Sequence, residues 1–298
     1  MSAVRGVPAV APRSRNRAIA AAVAASAAAV LLAGCGSSAE QSAGQVADPS
    51  MDRIAADPLT AVRQAADLTG HIGSLATATT LHTESAQKQM TLHGTGVYNY
   101  TTRIGRLVVT VPPGSGGTTG RLTEVFEPGI VYMQGSGAKV PVGKWVKVQV
   151  QQLGDGNLVS SGATDPASAA GALRGAQTAK LVGTQKQPDG TVVRHFSGTL
   201  DLAEAAKATG GGQATGLAVG ARTFTVKQVP YDVWLDQHGR IRKVVEVFTF
   251  AQVPGSTKPK DQVKVTSTSE FSAFGQPVDV SVPSGGDVYS AGSPTPSK

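Results

Sequence analysis

Residues 223–251 read TFTVKQVPYDVWLDQHGRIRKVVEVFTFA. Thr223 to Leu235 and Ile241 to Ala251 are rich in β-branched and aromatic residues, and Asp236-Gln237-His238-Gly239 between them has the composition of a tight turn. The pattern predicts one long β-hairpin. In its second arm, Val244, Phe248 and Phe250 fall on one face and Val245, Val247 and Ala251 on the other. A strand backed by solvent alternates more cleanly, so apolar cover is expected on each face, from packed helices or from a bound ligand.

The same grammar extends outward. Val263 to Phe271 reads as a final long strand. Glu124 to Glu127, Pro128-Gly129 and Ile130 to Met133 form a hairpin with its turn written in, and Lys180 to Gln187, Pro188-Asp189-Gly190 and Thr191 to Leu200 form another. Met90 and Leu92, Val97 to Thr101, Leu107 to Val111 and Lys144 to Gln151 are further strand-like stretches, and Gly114 to Gly120 is a loop. Helices are fewer. Asp57-Pro58 caps one that ends at Gly70 or Gly73. Asp165-Pro166 caps a short one over Ala167 to Leu173, with Gly175 just past its end. Asp201 to Ala208 is a third, stopped by Gly210-Gly211-Gly212. Strands outnumber helices and no βαβ alternation appears, which predicts an α+β domain built on a largely antiparallel sheet.

The chain start is of another kind. Arg5, Arg13, Arg15 and Arg17 precede Ala18 to Leu32, a small-and-apolar run broken only by Ser26, and the run leads to Leu32-Ala33-Gly34-Cys35. Fifteen residues are short of the roughly 20 that cross a bilayer and suit the apolar part of a secretory signal. Leu-Ala-Gly-Cys resembles the bacterial lipobox, in which the cysteine thiol takes a diacylglyceryl group. The resemblance implies lipidation at Cys35, loss of residues 1–34, and an acyl chain such as palmitate on the new α-amino group. Without an Arg-Arg pair, the general secretion route is expected. The competing reading is an uncleaved helical anchor or a buried free thiol. Residues 35–57, rich in Ser, Ala, Gly and Gln, read as a flexible tether, 58–283 as the folded domain, and 284–298 as a disordered tail.

Cys35 is the only cysteine, so no internal disulfide can form and the fold must rest on its core. Losing residues 1–34 leaves 264 of the 298 residues and lowers the formal charge from +7 to +3, because four arginines leave with the signal. That balance carries no basic stripe, and nucleic acid is not an expected partner. The 36 glycines follow no period and imply turns rather than fibre.

Several motifs recur together and in order. Ile130-Val-Tyr-Met and Gly143-Lys-Trp-Val-Lys-Val come first, then Asp165-Pro166, Leu173-Arg-Gly-Ala176 and Val182-Gly183. Asp189-Gly-Thr-Val192, His195-Phe-Ser-Gly-Thr199, Tyr231-Asp-Val-Trp-Leu-Asp236, Gly239-Arg240 and Phe274-Gly-Gln-Pro-Val278 follow. The series, over residues 80 to 283, is similar to the LppX/LprG-type lipoproteins of actinobacteria. The resemblance implies a LolA/LolB-like fold: a strongly curved antiparallel sheet, an incomplete barrel, with helices on its concave side. It also implies an extracytoplasmic, membrane-anchored protein that holds a lipid or other hydrophobic ligand between sheet and helices. The alternative is an interaction or sensor module that contacts an envelope protein. The loops Gly114–Gly120 and Gly210–Gly220 depart from the family pattern at the cavity mouth.

A carrier of this kind needs a mostly apolar cavity, typically about 300–1,000 Å³. Its lining is expected from Thr223–Leu235, Ile241–Ala251 and Val263–Phe271, with Leu173 as a lid residue; a tightly packed core there favours the interaction module. No catalytic site is expected. Gly135-Ser136-Gly137 lacks the spacing of a nucleophile elbow, and no phosphate-binding glycine loop joins a strand to a helix. His71, His82 and His93 recur every 11 residues, but the glycines and threonines between them break any shared helix, so no metal or other cofactor is expected. Asp155, Asp165, Asp189 and Asp236 sit at turn or cap signals, and Trp145 and Trp234 read as core or rim residues.

Overall fold

The structure, a computed structural model, describes residues 57–113, 120–135, 140–159, 164–251 and 257–289. Cys35, the signal 1–34 and nearly all of the tether 35–57 therefore lie outside the described residues. The domain opens with helix α1 (Pro58–Gly70), where proline occupies the first turn and Asp57 accepts hydrogen bonds from Thr60 N–H at 2.8 Å and Thr60 Oγ1 at 2.6 Å. Six strands follow: β1 (Ser74–Glu84), β2 (Gln89–Asn99), β3 (Ile104–Val111), β4 (Gly120–Glu127), β5 (Ile130–Gln134) and β6 (Trp145–Gln149). After the short helix α2 (Pro166–Ala172) come β7 (Ala176–Lys186), β8 (Val192–Asp201), α3 (Leu202–Thr209) and α4 (Gly211–Thr223). The chain closes with β9 (Gln228–Asp236), β10 (Ile241–Ala251), β11 (Gln262–Ser272) and the two-residue β12 (Val288–Tyr289).

All twelve strands form one sheet in the order β12-β6-β5-β4-β3-β2-β1-β11-β10-β9-β8-β7. Every pairing is antiparallel except β12 with β6, which is parallel. The three turns read from the sequence, Pro128-Gly129, Pro188–Gly190 and Asp236–Gly239, join β4 to β5, β7 to β8 and β9 to β10. At the last of them Asp236 accepts from His238 N–H and Arg240 N–H, and Gly239 takes φ +76°. The sheet does not close: β7 and β12 remain its two ends.

The sheet must curl. In order, β8 and β4 stand seven strands apart, about 34 Å across a flat sheet. Yet Asp201, at the end of β8, caps α3, and Gly212, at the start of α4, lies against Pro128-Gly129 in the β4–β5 turn. Between them runs only the eight-residue helix α3, about 12 Å long. The sheet therefore folds round the helices.

That inner face supplies the core. Val229, Tyr231, Val233 and Leu235 of β9, Val244 and Phe248 of β10, and Val263, Val265 and Phe271 of β11 are buried against Leu173, Leu200, Leu217 and Phe224. Phe224 stacks on Phe248 with ring centroids 4.8 Å apart. Near the middle of the sheet the inner residues turn small and polar: Thr77, Thr79, Ser267 and Ser269 are all buried. All seven residues of α2, mostly alanine, are buried too, and Thr164 just before it bonds Ser267 at 2.6 Å through the two hydroxyls. Small residues on both sides let helix and sheet approach closely. The apolar faces of β10 are not both covered. Val244 and Phe248 are buried inside, whereas Val245 and Val247 are half-buried on the outside beside Thr268 and Thr266 of β11.

Two expectations are corrected, and two elements, β1 and α4, go beyond the sequence reading. Strand β1 is not legible in the sequence reading, because threonines hold half its inner positions. Gly210, at φ +72°, ends the third helix as expected, but a further helix that the sequence does not announce, α4, begins at once. Thr223 accordingly ends a helix, and the long strand starts only at Gln228. The tail expected from Ser284 is ordered as far as Tyr289, where Val288 and Tyr289 pair with Trp145 and Val146; residues 290–298 lie outside the described residues.

At the far end of the sheet β7 is exposed along most of its length, with Leu181 45% and Val182 53% exposed. An extra residue interrupts its pairing with β8 between Leu181 and Gly183.

Asp201 gives a simple test of the local reading. Its carboxylate accepts from Ala203 N–H at 2.8 Å and Glu204 N–H at 3.1 Å. Asp201→Ala is expected to cost about 1 kcal/mol, the usual loss for an N-cap, measured as a lower denaturation midpoint with an unchanged slope. An unaltered midpoint would mean the cap contributes nothing.

Candidate functional site: a cavity at the rim

A cavity of about 440 Å³ opens where the start of α4 meets the β2–β3 and β4–β5 turns. Its walls come from the C-terminal end of α1, the tyrosines of β2 and the turn after it, Phe126 to Ile130, the 156–157 loop, the start of α2, and Gly210 to Gly216. The volume lies in the expected range, but the lining does not match. No residue of β9, β10 or β11 faces the cavity, and Leu173 is a fully buried core residue rather than a lid. The small-on-small packing of α2 against the sheet fills the place where an apolar chamber was expected.

Glycines shape the cavity. Gly212, Gly216 and Gly220 recur every four residues along α4 and so share one face. A Cβ on Gly212 would collide with the backbone of Pro128 and Gly129; one on Gly216 would stand 2.7 Å from the carbonyl oxygen of Gly156. Conversely, Gly156 has φ +69°, and a Cβ there would run into the backbone of Gly216. Backbone-on-backbone contact thus sets how near α4 comes to the 155–159 loop. The loop is pinned beneath by Asp155, whose carboxylate accepts from Asn157 N–H at 3.1 Å and Val159 N–H at 2.6 Å.

The polar lining is unusually rich. Gln213 Nε2 donates to Tyr98 Oη at 3.3 Å, and the Tyr98 and Tyr100 rings meet edge-on at 4.8 Å. Burial and then the negative charge of Asp165 push both phenols above the usual tyrosine range, and Tyr100 adds to the rise at Tyr98, so both stay protonated. Arg174 forms a two-pronged bond to Asp67 Oδ1, at 2.6 and 3.1 Å. Asp165 caps α2 by accepting from Ala167 N–H and Ser168 Oγ; burial raises its carboxyl, and these hydrogen bonds oppose the rise. Glu127 accepts from Tyr132 Oη at 2.9 Å. Three buried polar atoms at the cavity have no hydrogen-bond partner among the described residues: Tyr100 Oη, Asn157 Oδ1 and Thr209 Oγ1.

The other sequence candidates scatter. His71 caps the end of α1 and lines the cavity. His82 bonds Thr91 and His93 bonds Thr80 on the outer face, so the three histidines do not meet. No group of three or more His, Cys, Asp or Glu among the described residues is placed to hold a metal ion. Asp189 and Asp236 each hold a turn and pair with Arg242 and Arg240, both at 2.7 Å. Trp145 lies on β6 beside β12, and Trp234 stacks on His195 with ring centroids 4.2 Å apart. Among the described residues no helix is long and apolar enough to cross a membrane.

The fold is thus an open, curved antiparallel sheet wrapped round a layer of helices, with a cavity at one rim. Solved structures similar to it include the lipoprotein LppX of Mycobacterium tuberculosis, at 15% identity and TM-score 0.44, covering 75% of this chain and 97% of that one. LprF of Mycobacterium bovis aligns at 14% identity and TM-score 0.43 over 76% and 97%. A LolA superfamily protein of Nitrosomonas europaea aligns at 10% and 0.32 over 76% and 96%. No protein-family model matches the chain, and no curated protein matches it.

Proposed function

We propose that this chain is a lipoprotein held on the outer face of the cell membrane through lipid on Cys35, and that its domain binds an amphipathic ligand such as a lipid. The observation that carries the binding half is the rim cavity, whose volume fits a small-molecule site. Phe126, Ile130 and Val150 give it an apolar side, and the tyrosines and Asn157 a polar one. The anchor half rests on the lipobox and the composition of the tether. Two or more acyl chains hold a protein firmly, since each buried CH₂ contributes about 0.8 kcal/mol. In this reading the protein works by binding rather than catalysis, with no cofactor and no nucleic-acid partner.

The packed inner face of β9–β11 favours a second reading, a module that regulates or senses an envelope protein by surface contact. Native mass spectrometry separates the two. A carrier produced in a lipid-containing host retains acylated ligand at fixed stoichiometry. Apoprotein alone, with no thermal shift on adding lipid, leaves the interaction module. The anchor is tested by metabolic labelling with a fatty-acid analogue: Cys35→Ser is expected to lose the label and to be misprocessed or shed, and equal labelling of both proteins would end the claim.

A further inference from the structure

We infer that the rim of the sheet opposite the cavity is a docking surface for an anionic phospholipid bilayer, the membrane to which the tether leads. This rests on the anchor proposed above and adds the face that the anchored domain turns toward the lipid.

Two independent observations carry it. The first is where the cations lie. Strand β11 begins beside the end of β1, with Lys264 opposite Glu84, and its Gln262 stands opposite Ala251 at the end of β10. The link from α4 to β9 joins them: Thr225 N–H donates to Thr249 O at 2.8 Å, and Thr225 Oγ1 to Gln262 Oε1 at 3.1 Å. Residues 84–89, 222–228 and 257–264 therefore make one stretch of rim. It exposes Lys88, Arg222, Lys227, Lys258, Lys260 and Lys264, and its carboxylates are Glu84 and Asp261. Six cations against two carboxylates give a formal +4, whereas residues 35–298 as a whole carry +3, so all the rest sums to −1. At the opposite rim Asp67, Asp189 and Asp236 are each paired with an arginine, Arg174, Arg242 and Arg240. The domain is thus polar end to end, and an anionic surface orients such a body basic end first. Val226, 41% exposed beside Lys227, and Val142, fully exposed between β5 and β6, put aliphatic tips on the same rim. A bilayer interface takes up cations and apolar side chains together.

The second observation is where the chain enters the domain. Asp57 caps α1, and Arg63 in its second turn donates from Nε to Ala176 O at 2.9 Å, at the start of β7. Ala176 stands opposite Leu200, and the next residue, Asp201, opposite Gln228, so the helix begins at the basic rim. It ends at the other one, where Thr69 Oγ1 accepts from Ile241 N–H just after the β9–β10 turn. Residues 36–56, rich in Ser, Ala, Gly and Gln, separate Cys35 from the cap. A random coil of that length spans about 25 Å root-mean-square. The 11 residues of β1 extend about 36 Å from rim to rim. Tether and charge therefore bring the same rim to the bilayer, and the cavity opens on the side away from it.

The test reconstitutes the full chain into vesicles of phosphatidylcholine, alone or mixed with phosphatidylglycerol. Its lysines are acetylated by a water-soluble reagent and read by mass spectrometry. Lys88, Lys258 and Lys260 are expected to react roughly fivefold more slowly on the phosphatidylglycerol vesicles. They should recover in about 0.5 M salt, where the screening length falls to about 4 Å. Lys186, at the far end of β7, is expected to react alike on both. The double variant Lys258→Glu/Lys260→Glu changes only exposed side chains, so it should melt like the parent while Lys88 loses its protection. Protection of Lys88 that survives this variant overturns the inference, because the tether alone would then hold the rim in place. Equal rates on both vesicles overturn it too, as does slowing of Lys186 as large as that of Lys88. Flotation in the same salt separates docking from the anchor. If the chain floats with the vesicles and no lysine is protected, docking falls and the anchor stands. If salt strips the chain from vesicles on which the rim pattern appeared without salt, the anchor falls and docking stands.

Discussion

Glu246→Gln is expected to abolish a loss of stability of about 5 kcal/mol that the parent protein suffers between pH 4.5 and 8. Glu246 sits on the inner face of β10, 1% exposed, opposite Ser267 and Tyr231, and its Oε1 has no hydrogen-bond partner among the described residues. Burial pushes its carboxyl up from 4.5 to about 8. The sign follows from proton counting. Between those values the native state keeps a proton that the unfolded chain has released, so each pH unit destabilises the fold by about 1.4 kcal/mol. The contribution is full below pH 4.5 and gone once the pH passes 8. Gln keeps the shape and cannot ionise. Denaturant titrations of both proteins at pH 5 and pH 8 measure the difference, and the same pH slope in both would show that another group titrates.

Gly156→Ala is expected to cost about 2–5 kcal/mol. A left-handed backbone is worth roughly 1–2 kcal/mol against any residue with a Cβ, and overpacking typically adds about 1–3. Gly156 meets both conditions, with φ +69° and the backbone of Gly216 in the way. Gly190 supplies the control: its φ is +84° in the β7–β8 turn, but nothing lies within 4 Å of a Cβ there. Gly190→Ala should therefore show only the backbone part, about 1–2 kcal/mol. Urea midpoints and far-ultraviolet dichroism check the pair. Equal losses would mean that α4 yields freely and that its seat on the 155–159 loop has no stiffness.

The parts of this fold legible in the sequence are those governed by neighbours in the chain. Asp57, Asp165 and Asp201 announce three helices because capping is a contact over two or three residues. The turns at Pro128-Gly129, Pro188–Gly190 and Asp236–Gly239 announce three hairpins for the same reason. Helix α4 is illegible by that grammar. Four of its thirteen residues are glycine, which lowers helix propensity by about 1 kcal/mol each against alanine. Its signal is the four-residue spacing of Gly212, Gly216 and Gly220, which marks close backbone packing. Strand β1 hides because Thr77 and Thr79 occupy inner positions where apolar residues are sought. The cavity was legible only in size. Its walls come from chain segments scattered from Asp67 to Gly216, and no local pattern foretells which turns a curled sheet brings against a helix. Leu173 illustrates the point: apolar and next to a helix end, it suits a lid and a core equally, and burial makes it core.

The outer strand β7 bears on how copies of the domain behave beside one another. An unpaired strand edge is a template on which a second molecule can build. Here the extra residue Val182 splits the ladder with β8 into two stretches, Thr178–Leu181 and Gly183–Lys186. An incoming strand could keep register over about four residues in either stretch, fewer than the five or six of an ordinary strand. Lys180 and Lys186 add a like-charge penalty to any self-association there. The sheet can thus end in solvent without a partner to seal it, and crowding on a surface should not drive these molecules into edge-to-edge polymers.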